Sequence, residues 1–254
     1  MPNWSNYPEL LEQVAQWKPS LEEAKSTPPA EDKTWYGYDI LANFWAITPL
    51  IEALPQERLE LLSTGPIADI GGADGDLGFF FASQGLEVDL IDWPATNWNG
   101  LDGARALKGR LRADQVQIHE IDLDSQFRLP RDRYDVTFFL GILYHLKNPY
   151  LVMERLAERS RYCFLSTRIA RQTTDGQVKL EEAPVAYLLN PDECNNDATN
   201  FWIFSEHGLL RLLDRCGWDV EAKVRVGDTA ESNPSEADHD ERIFIALRSR
   251  HFGP

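Results

Sequence analysis

The chain has 254 residues, of which 43% are hydrophobic, enough for one full core with an appendage. Its formal net charge of -16 disfavours non-specific binding to nucleic acid or anionic membranes, because a surface of that sign repels polyanions. No window approaches the ~20 continuous apolar residues of a membrane span, and the amino terminus has no basic segment leading into an apolar run.

These features predict a cytoplasmic protein with no membrane partner. The three cysteines, Cys163, Cys194 and Cys216, show neither CxxC nor Cys/His ligand spacing, so they read as buried free thiols, with no disulfide framework and no metal.

Residues 1–65 read as a helical cap. "YPELLEQVAQW" has apolar residues at helical spacing, "KSTPPAEDK" is a linker, and "YDILANFWAITPLIEAL" is a second amphipathic run ending before Pro55. From Ile67 onward, short apolar runs alternate with helical stretches, the mark of βαβ units in a mostly parallel sheet. Strands are expected near 67–70, 87–91, 116–121, 134–139 and 162–167, with helices near 76–84, 100–112 and 149–159.

After Thr167 the alternation lapses. The polar segment 168–204 is too long for a simple connection and reads as a functional or mobile insertion on the substrate side. "SEHGLLRLLDRCGW" then predicts a helix between a Ser205 N-cap and a Gly217 cap. Two strands near 218–226 and 243–248, joined by an acidic loop with no room for a helix, predict an antiparallel hairpin. The expected fold is α/β: a Rossmann-like, seven-stranded, mostly parallel sheet over residues 66–254, with a terminal antiparallel hairpin and an N-terminal helical cap.

The turn "IADIGGADGDLGFF" occupies the first βα connection, where open α/β sheets bind their ligands. Gly71, Gly72 and Gly75 allow a sharp turn and a close backbone approach. A pyrophosphate would meet like charge from Asp69, Asp74 and Asp76, whereas a ligand with a cationic amino-acid end suits those acids. Asp92 ends the second strand, where an acid accepts both ribose hydroxyls, and Asp122 follows the third, beside an adenine edge. Capping a turn is the competing role for Asp122. A nucleoside with a cationic tail and no phosphate describes S-adenosylmethionine.

The segments "ADIGGADG", "LIDWP", "IDLDS" and "YDVTFFLGILYHLKNP" resemble motifs of the class I S-adenosylmethionine-dependent methyltransferases over residues 67–168. "LGILYHLKNP" further resembles the branch containing tRNA wobble-uridine carboxymethyltransferases. The resemblance implies that Asp69, Gly71 and Gly75 line the methionine moiety and that Asp92 holds the ribose. It implies also that Asp122 meets the adenine and that Leu140 and Gly141 pass under the sulfonium; Gly72, Trp93 and Leu123 complete the expected cofactor set. Ala73 replaces the second glycine of the D-x-G-x-G-x-G pattern.

No basic residue lies between Lys33 and Arg58, where a carboxylated donor and an RNA acceptor would need cations. The arginines at 155, 159, 161, 168 and 171 form a patch only if the interleaved acids do not neutralise them.

Transfer of a methyl group from a sulfonium is an in-line displacement governed by positioning, and a base is needed only for an acceptor that must lose a proton. His145 and the adjacent Tyr144 are the catalytic candidates; a structural role is the alternative. Trp35, Tyr36 and Tyr38, with Phe44 and Trp45, offer an aromatic wall for a flat acceptor, or core packing. Asn196, Asn200 and Trp202 are the polar candidates for the substrate side, although Asn is also a common turn residue.

The expected partner is a small molecule, planar or aromatic, with tRNA as the first alternative. A nicotinamide oxidoreductase would need a G-x-G-x-x-G turn, which "GGADGD" lacks. A non-catalytic S-adenosylmethionine-binding module remains compatible with the donor residues.

Overall fold

A computed structural model of the chain describes residues 7–54, 65–125, 127–227 and 241–252. They fall into two compact units divided between Phe138 and Phe139.

The first unit opens with α1 (Tyr7–Ala24), which continues through Pro19 well past its first apolar stripe, and α2 (Phe44–Glu52). Then come β1 (Ile67–Ile70), α3 (Asp76–Ser83), β2 (Val88–Asp92), α4 (Asp102–Leu111), β3 (Val116–Glu120) and β4 (Tyr134–Leu140). Its strands are all parallel in the order β3-β2-β1-β4. The chain steps outward from β1 to β3 and returns to set β4 on the other side of β1. The turn after β1 therefore sits at the topological switch, where a parallel sheet leaves a crevice.

Helix α3 carries Phe79, Phe80 and Phe81, all buried. A helix that is apolar on every side must be covered on every side, and the N-terminal helices help to cover this one. Trp17 and Phe44 meet Phe80 edge-on at 5.8 and 5.3 Å between ring centroids, and Phe81 stacks on Phe138 at 5.0 Å.

The second unit contains α5 (Pro149–Arg159), β5 (Ser160–Ile169), β6 (Ala186–Leu188), β7 (Trp202–Phe204), α6 (Glu206–Arg215), β8 (Trp218–Gly227) and β9 (Glu241–Ser249). Ser205 caps α6 as expected, its side chain accepting from Gly208 N at 3.0 Å. Strands β8 and β9 form the expected antiparallel hairpin, and β9 also runs antiparallel to β5. Most of the acidic loop between them, residues 228–240, lies outside the described residues.

The described residues hold nine strands, not the expected seven. Both additions lie in the segment 168–204 read as an insertion: β7 pairs parallel with β5 at Ile169 and Phe204, and β6 pairs antiparallel with β7. At three residues each, they are too short to show a period-2 pattern. The segment has a small core of its own in Ala170, Leu180, Leu189, Cys194 and Ile203. All three cysteines are buried and free.

Candidate functional site

The glycine turn is built around a buried carboxylate. Asp69 Oδ2 accepts from Gly78 N at 3.0 Å, and a Cβ on Gly72 would come within 2.6 Å of the same oxygen. Gly72 is thus required because Asp69 fills the side-chain space beneath it. Gly75 has φ +87°, a left-handed conformation that favours glycine, and Ala73 adopts φ +57° in its place in the pattern. Burial pushes the Asp69 carboxyl up to about 7; the Gly78 amide opposes this, while Asp92 and Asp76 add to it.

Asp74 is also fully buried and binds inward. Its Oδ2 accepts from Tyr36 N at 2.9 Å and its Oδ1 from Asn99 Nδ2 at 2.8 Å. Asp74 and Asp76 both meet Lys25, so the cation facing these two acids belongs to the chain itself.

At the end of β2, Asp92 Oδ1 accepts from Trp93 N at 2.7 Å and Oδ2 from Asn97 Nδ2 at 2.9 Å. The same Asn97 amide donates to Ala73 O at 3.2 Å, tying the acid to the turn. Burial raises the Asp92 carboxyl above its ordinary value, and the two donors oppose it. A carboxylate has about four lone-pair sites, so these bonds leave capacity for two ribose hydroxyls.

Beside it lies a cleft of about 270 Å³ lined by Trp93, Glu120, Ile121, Asp122, Ser125 and Arg128. That approaches the ~300 Å³ lower end for small-molecule sites. Asp122 makes a turn, accepting from Asp124 N at 3.0 Å and Ser125 Oγ at 2.7 Å, and Leu123 is buried behind it. An acid at the end of β2 and a cleft along the ends of β2 and β3 fit an adenosine.

The expected aromatic wall divides. Phe44 is core, and Trp35 is half-buried, with Lys25 and Arg110 each 5.3 Å from its ring centroid. Tyr36 and Tyr38 remain together at 6.5 Å between ring centroids. Trp98, which the sequence reading missed, joins them: its backbone N donates to Tyr36 Oη at 2.7 Å and its Nε1 to Thr34 Oγ1 at 3.0 Å. Burial pushes the Tyr36 phenol up to about 12, so it remains protonated. Tyr38 and Trp98 are 74% and 71% exposed.

β4 ends at Leu140, beyond the division at Phe138 and Phe139, and in the second unit Gly141 N donates to Ser166 O at 2.9 Å. Tyr144 and His145 follow, their rings 4.4 Å apart, and a Cβ on Gly141 would lie 3.5 Å from Tyr144 Oη. His145 Nδ1 is 3.0 Å from Thr199 O. A carbonyl can only accept, so Nδ1 carries the proton and Nε2 keeps its lone pair. Burial lowers the His145 pKa, while Thr199 and Asp197 pull it upward. Asp197 Oδ1 fixes Thr199 through its backbone N at 2.9 Å and its hydroxyl at 2.6 Å.

Asn196 is an exposed turn residue with φ +52°. Asn200 is buried and donates from Nδ2 to Cys194 O at 3.1 Å, while Asn200 Oδ1 and Trp202 Nε1 are buried with no hydrogen-bond partner among the described residues. The arginine cluster is dispersed in its roles: Arg155 pairs with Glu158 at 2.8 Å, Arg168 is buried against Cys194 Sγ, and Arg171 pairs with Glu241 at 2.9 Å.

Residues 45–223 match the family model described as a methyltransferase domain. The chain belongs to that family. Among curated proteins, the tRNA U34 carboxymethyltransferase of Marinobacter nauticus is 29% identical to this methyltransferase over 140 residues, 52% of the chain and 38% of the relative. The chain thus matches well under half the length of that enzyme.

Three solved structures share the fold. The N-terminal domain of EvdMO1, solved in the presence of SAH and D-fucose, aligns at TM-score 0.54 and 17% identity over 80% of this chain and 83% of that one. An S-adenosylmethionine dependent methyltransferase from Mesorhizobium loti aligns at 0.53 and 14% over 82% and 97%. The [4+2]-cyclase SpnF aligns at 0.55 and 13% over 92% and 93%.

Among the described residues, no group of three or more His, Cys, Asp or Glu is arranged to hold a metal. No described helix is long and apolar enough to cross a membrane.

Proposed function

We propose that this methyltransferase takes S-adenosylmethionine in its first unit and methylates a small, planar or aromatic acceptor. The donor reading is carried by Asp92, pre-oriented by Trp93 and Asn97 at the mouth of the cleft. Asp92 holds the ribose, the cleft beside Trp93 and Asp122 takes the adenine, and the Asp69 turn takes the methionine end. S-adenosylmethionine supplies an electrophilic methyl group on a sulfonium.

The protein's contribution is then to fix geometry and to move a proton where the acceptor requires it. In the second unit, His145 holds one proton at Nδ1 against Thr199 and presents Nε2 as the base for a phenol or alcohol. Tyr144, packed against the imidazole, is the second catalytic candidate. Tyr38 and Trp98 offer flat, exposed faces for an aromatic acceptor.

A tRNA acceptor is the second reading, favoured by the 29% identity to a tRNA U34 carboxymethyltransferase. The net charge of -16, the burial of Arg168 and the pairing of Arg171 argue against it.

Calorimetric titration of S-adenosylmethionine into the wild type and Asp92→Ala tests the donor site. The variant should lose roughly 1 to 3 kcal/mol of binding, the scale for a charged hydrogen-bond partner. Equal affinities would remove Asp92 from the ribose. Label transfer from methyl-tritiated donor to a panel of phenols and to unmodified tRNA then separates the acceptor readings, and transfer to tRNA alone would overturn the small-molecule assignment.

A further inference from the structure

We propose that Lys25, which precedes the family-matched residues 45–223, is a positioning residue for the donor turn. The inference rests on the donor reading above. Its ammonium lies 3.1 Å from Asp74 Oδ2 and 2.7 and 2.9 Å from the two oxygens of Asp76. The side chains of these acids are at most 5% exposed, and that of Lys25 is 17% exposed. Two carboxylates buried two residues apart repel each other and lose hydration, and one shared ammonium offsets both penalties.

The lysine is itself held in place. Its ammonium lies 5.3 Å from the Trp35 ring centroid, and the Arg110 guanidinium is at the same distance. Arg110 also donates to the carbonyls of Ala24, Thr27 and Pro28 at 2.6, 2.9 and 2.7 Å, fixing the chain on both sides of Lys25.

The ion pair leads to both halves of the donor site. Asp74 holds Asn99, whose backbone N donates to Asn97 Oδ1 at 3.2 Å; Asn97 in turn bonds Ala73 O and Asp92. Asp76 begins α3, two residues before the Gly78 amide that donates to Asp69. Lys25 therefore acts on the ribose acid and the turn without touching the ligand. A Cβ on Gly103 would fall 2.0 Å from Asp74 Oδ1, so α4 leaves room for this carboxylate.

The test uses the full chain as wild type, Lys25→Met, Lys25→Arg and the double variant Lys25→Met/Asp76→Asn. S-adenosylhomocysteine affinity is measured by calorimetry from pH 6 to 8.5, and hydrogen exchange is followed at residues 71–78 without ligand. Lys25→Met should weaken binding by roughly 10- to 100-fold, the range for losing an outer-shell partner at metal sites. Its deficit should grow as pH rises, because burial already raises the Asp76 carboxyl above its ordinary value and without the lysine it ionises unshielded. Lys25→Arg should retain most of the affinity, and removing one charge in the double variant should restore much of it. Exchange at the turn should follow the same order.

Affinity and exchange within twofold of wild type in Lys25→Met would overturn the proposal. So would an equal loss in Lys25→Met and the double variant, since the lysine would then only pack the cap. If the wild type binds no S-adenosylhomocysteine, the donor reading fails, and the exchange data alone decide the role of Lys25 in the turn.

Discussion

Replacing Asp69 by Asn should make the protein more stable at alkaline pH, although it removes a carboxylate from the turn's interior. The carboxyl is 3% exposed, and its pKa rises from 3.8 to about 7, chiefly through burial. At ~1.4 kcal/mol per pKa unit, ionising it in the folded protein costs about 4 kcal/mol relative to the unfolded chain. Between pH 3.8 and about 7 the folded state holds a proton that the unfolded state has released. Stability from this group is therefore present at low pH and lost as pH rises through about 7.

Asn cannot ionise but retains an oxygen to accept from Gly78 N. Measured by urea unfolding without ligand, the stability of Asp69→Asn relative to wild type should increase by roughly 2 to 3 kcal/mol between pH 5 and 8. Parallel stability curves over that range would refute the claim that Asp69 is buried against its charge. On the proposed donor reading, a bound ammonium favours the ionised carboxylate. Calorimetry at pH 7 in buffers of different ionisation enthalpy should then show proton release on donor binding in the wild type and less in the variant.

Ala73→Gly should stabilise the turn by about 0.5 to 1 kcal/mol, because relief of a left-handed alanine outweighs the added chain entropy of glycine; an unchanged or lower melting temperature would count against strain at φ +57°. Two alanine substitutions within α4 should have opposite signs. Gly109→Ala meets no atom within 4 Å and should gain about 0.5 to 1 kcal/mol, whereas Gly103→Ala drives its Cβ into Asp74 and should lose roughly 1 to 3 kcal/mol. Urea midpoints of the two variants decide this, and a shared sign would mean that Asp74 is free to move. His145→Gln should lower the methylation rate of a hydroxyl acceptor by ~10²- to 10⁴-fold. The wild-type rate should fall with pH only below 6.5, the ordinary imidazole value, because burial lowers the pKa of His145; a variant with full rate and the same acid limb would leave the residue a structural role.

What the sequence conveyed was local. β1 is the expected 67–70, α5 the expected 149–159, and α3 and α4 end within two residues of their expected bounds, whereas α1 runs on to Ala24, past the Trp17 that closed its expected apolar run, and α2 begins only at Phe44. The signals involved span a few residues: Asn148 followed by Pro149 at a helix start, Ser205 three residues before the amide it caps, and four buried residues running into glycines. The short strands β6 and β7 had too little length to carry a pattern. The orientation of His145 depends on Thr199, 54 residues away, and Trp98 reaches Thr34 across 64 residues. Nothing in either local stretch announces the other.

The acids of the turn mark the boundary between sign and source. A sequence with Asp69, Asp74 and Asp76 around three glycines demands positive charge, and that inference needs no coordinates. It cannot distinguish a ligand's ammonium from the chain's own. The fold divides the acids accordingly: Asp74 and Asp76 are bound to Lys25 across 49 and 51 residues, while Asp69, among the described residues, lies against the Gly78 amide with its charge suppressed by burial. The carboxyl whose ionisation a cationic ligand can still reward is thus Asp69. Its proton, rather than the number of acids, is the quantity that should report donor binding.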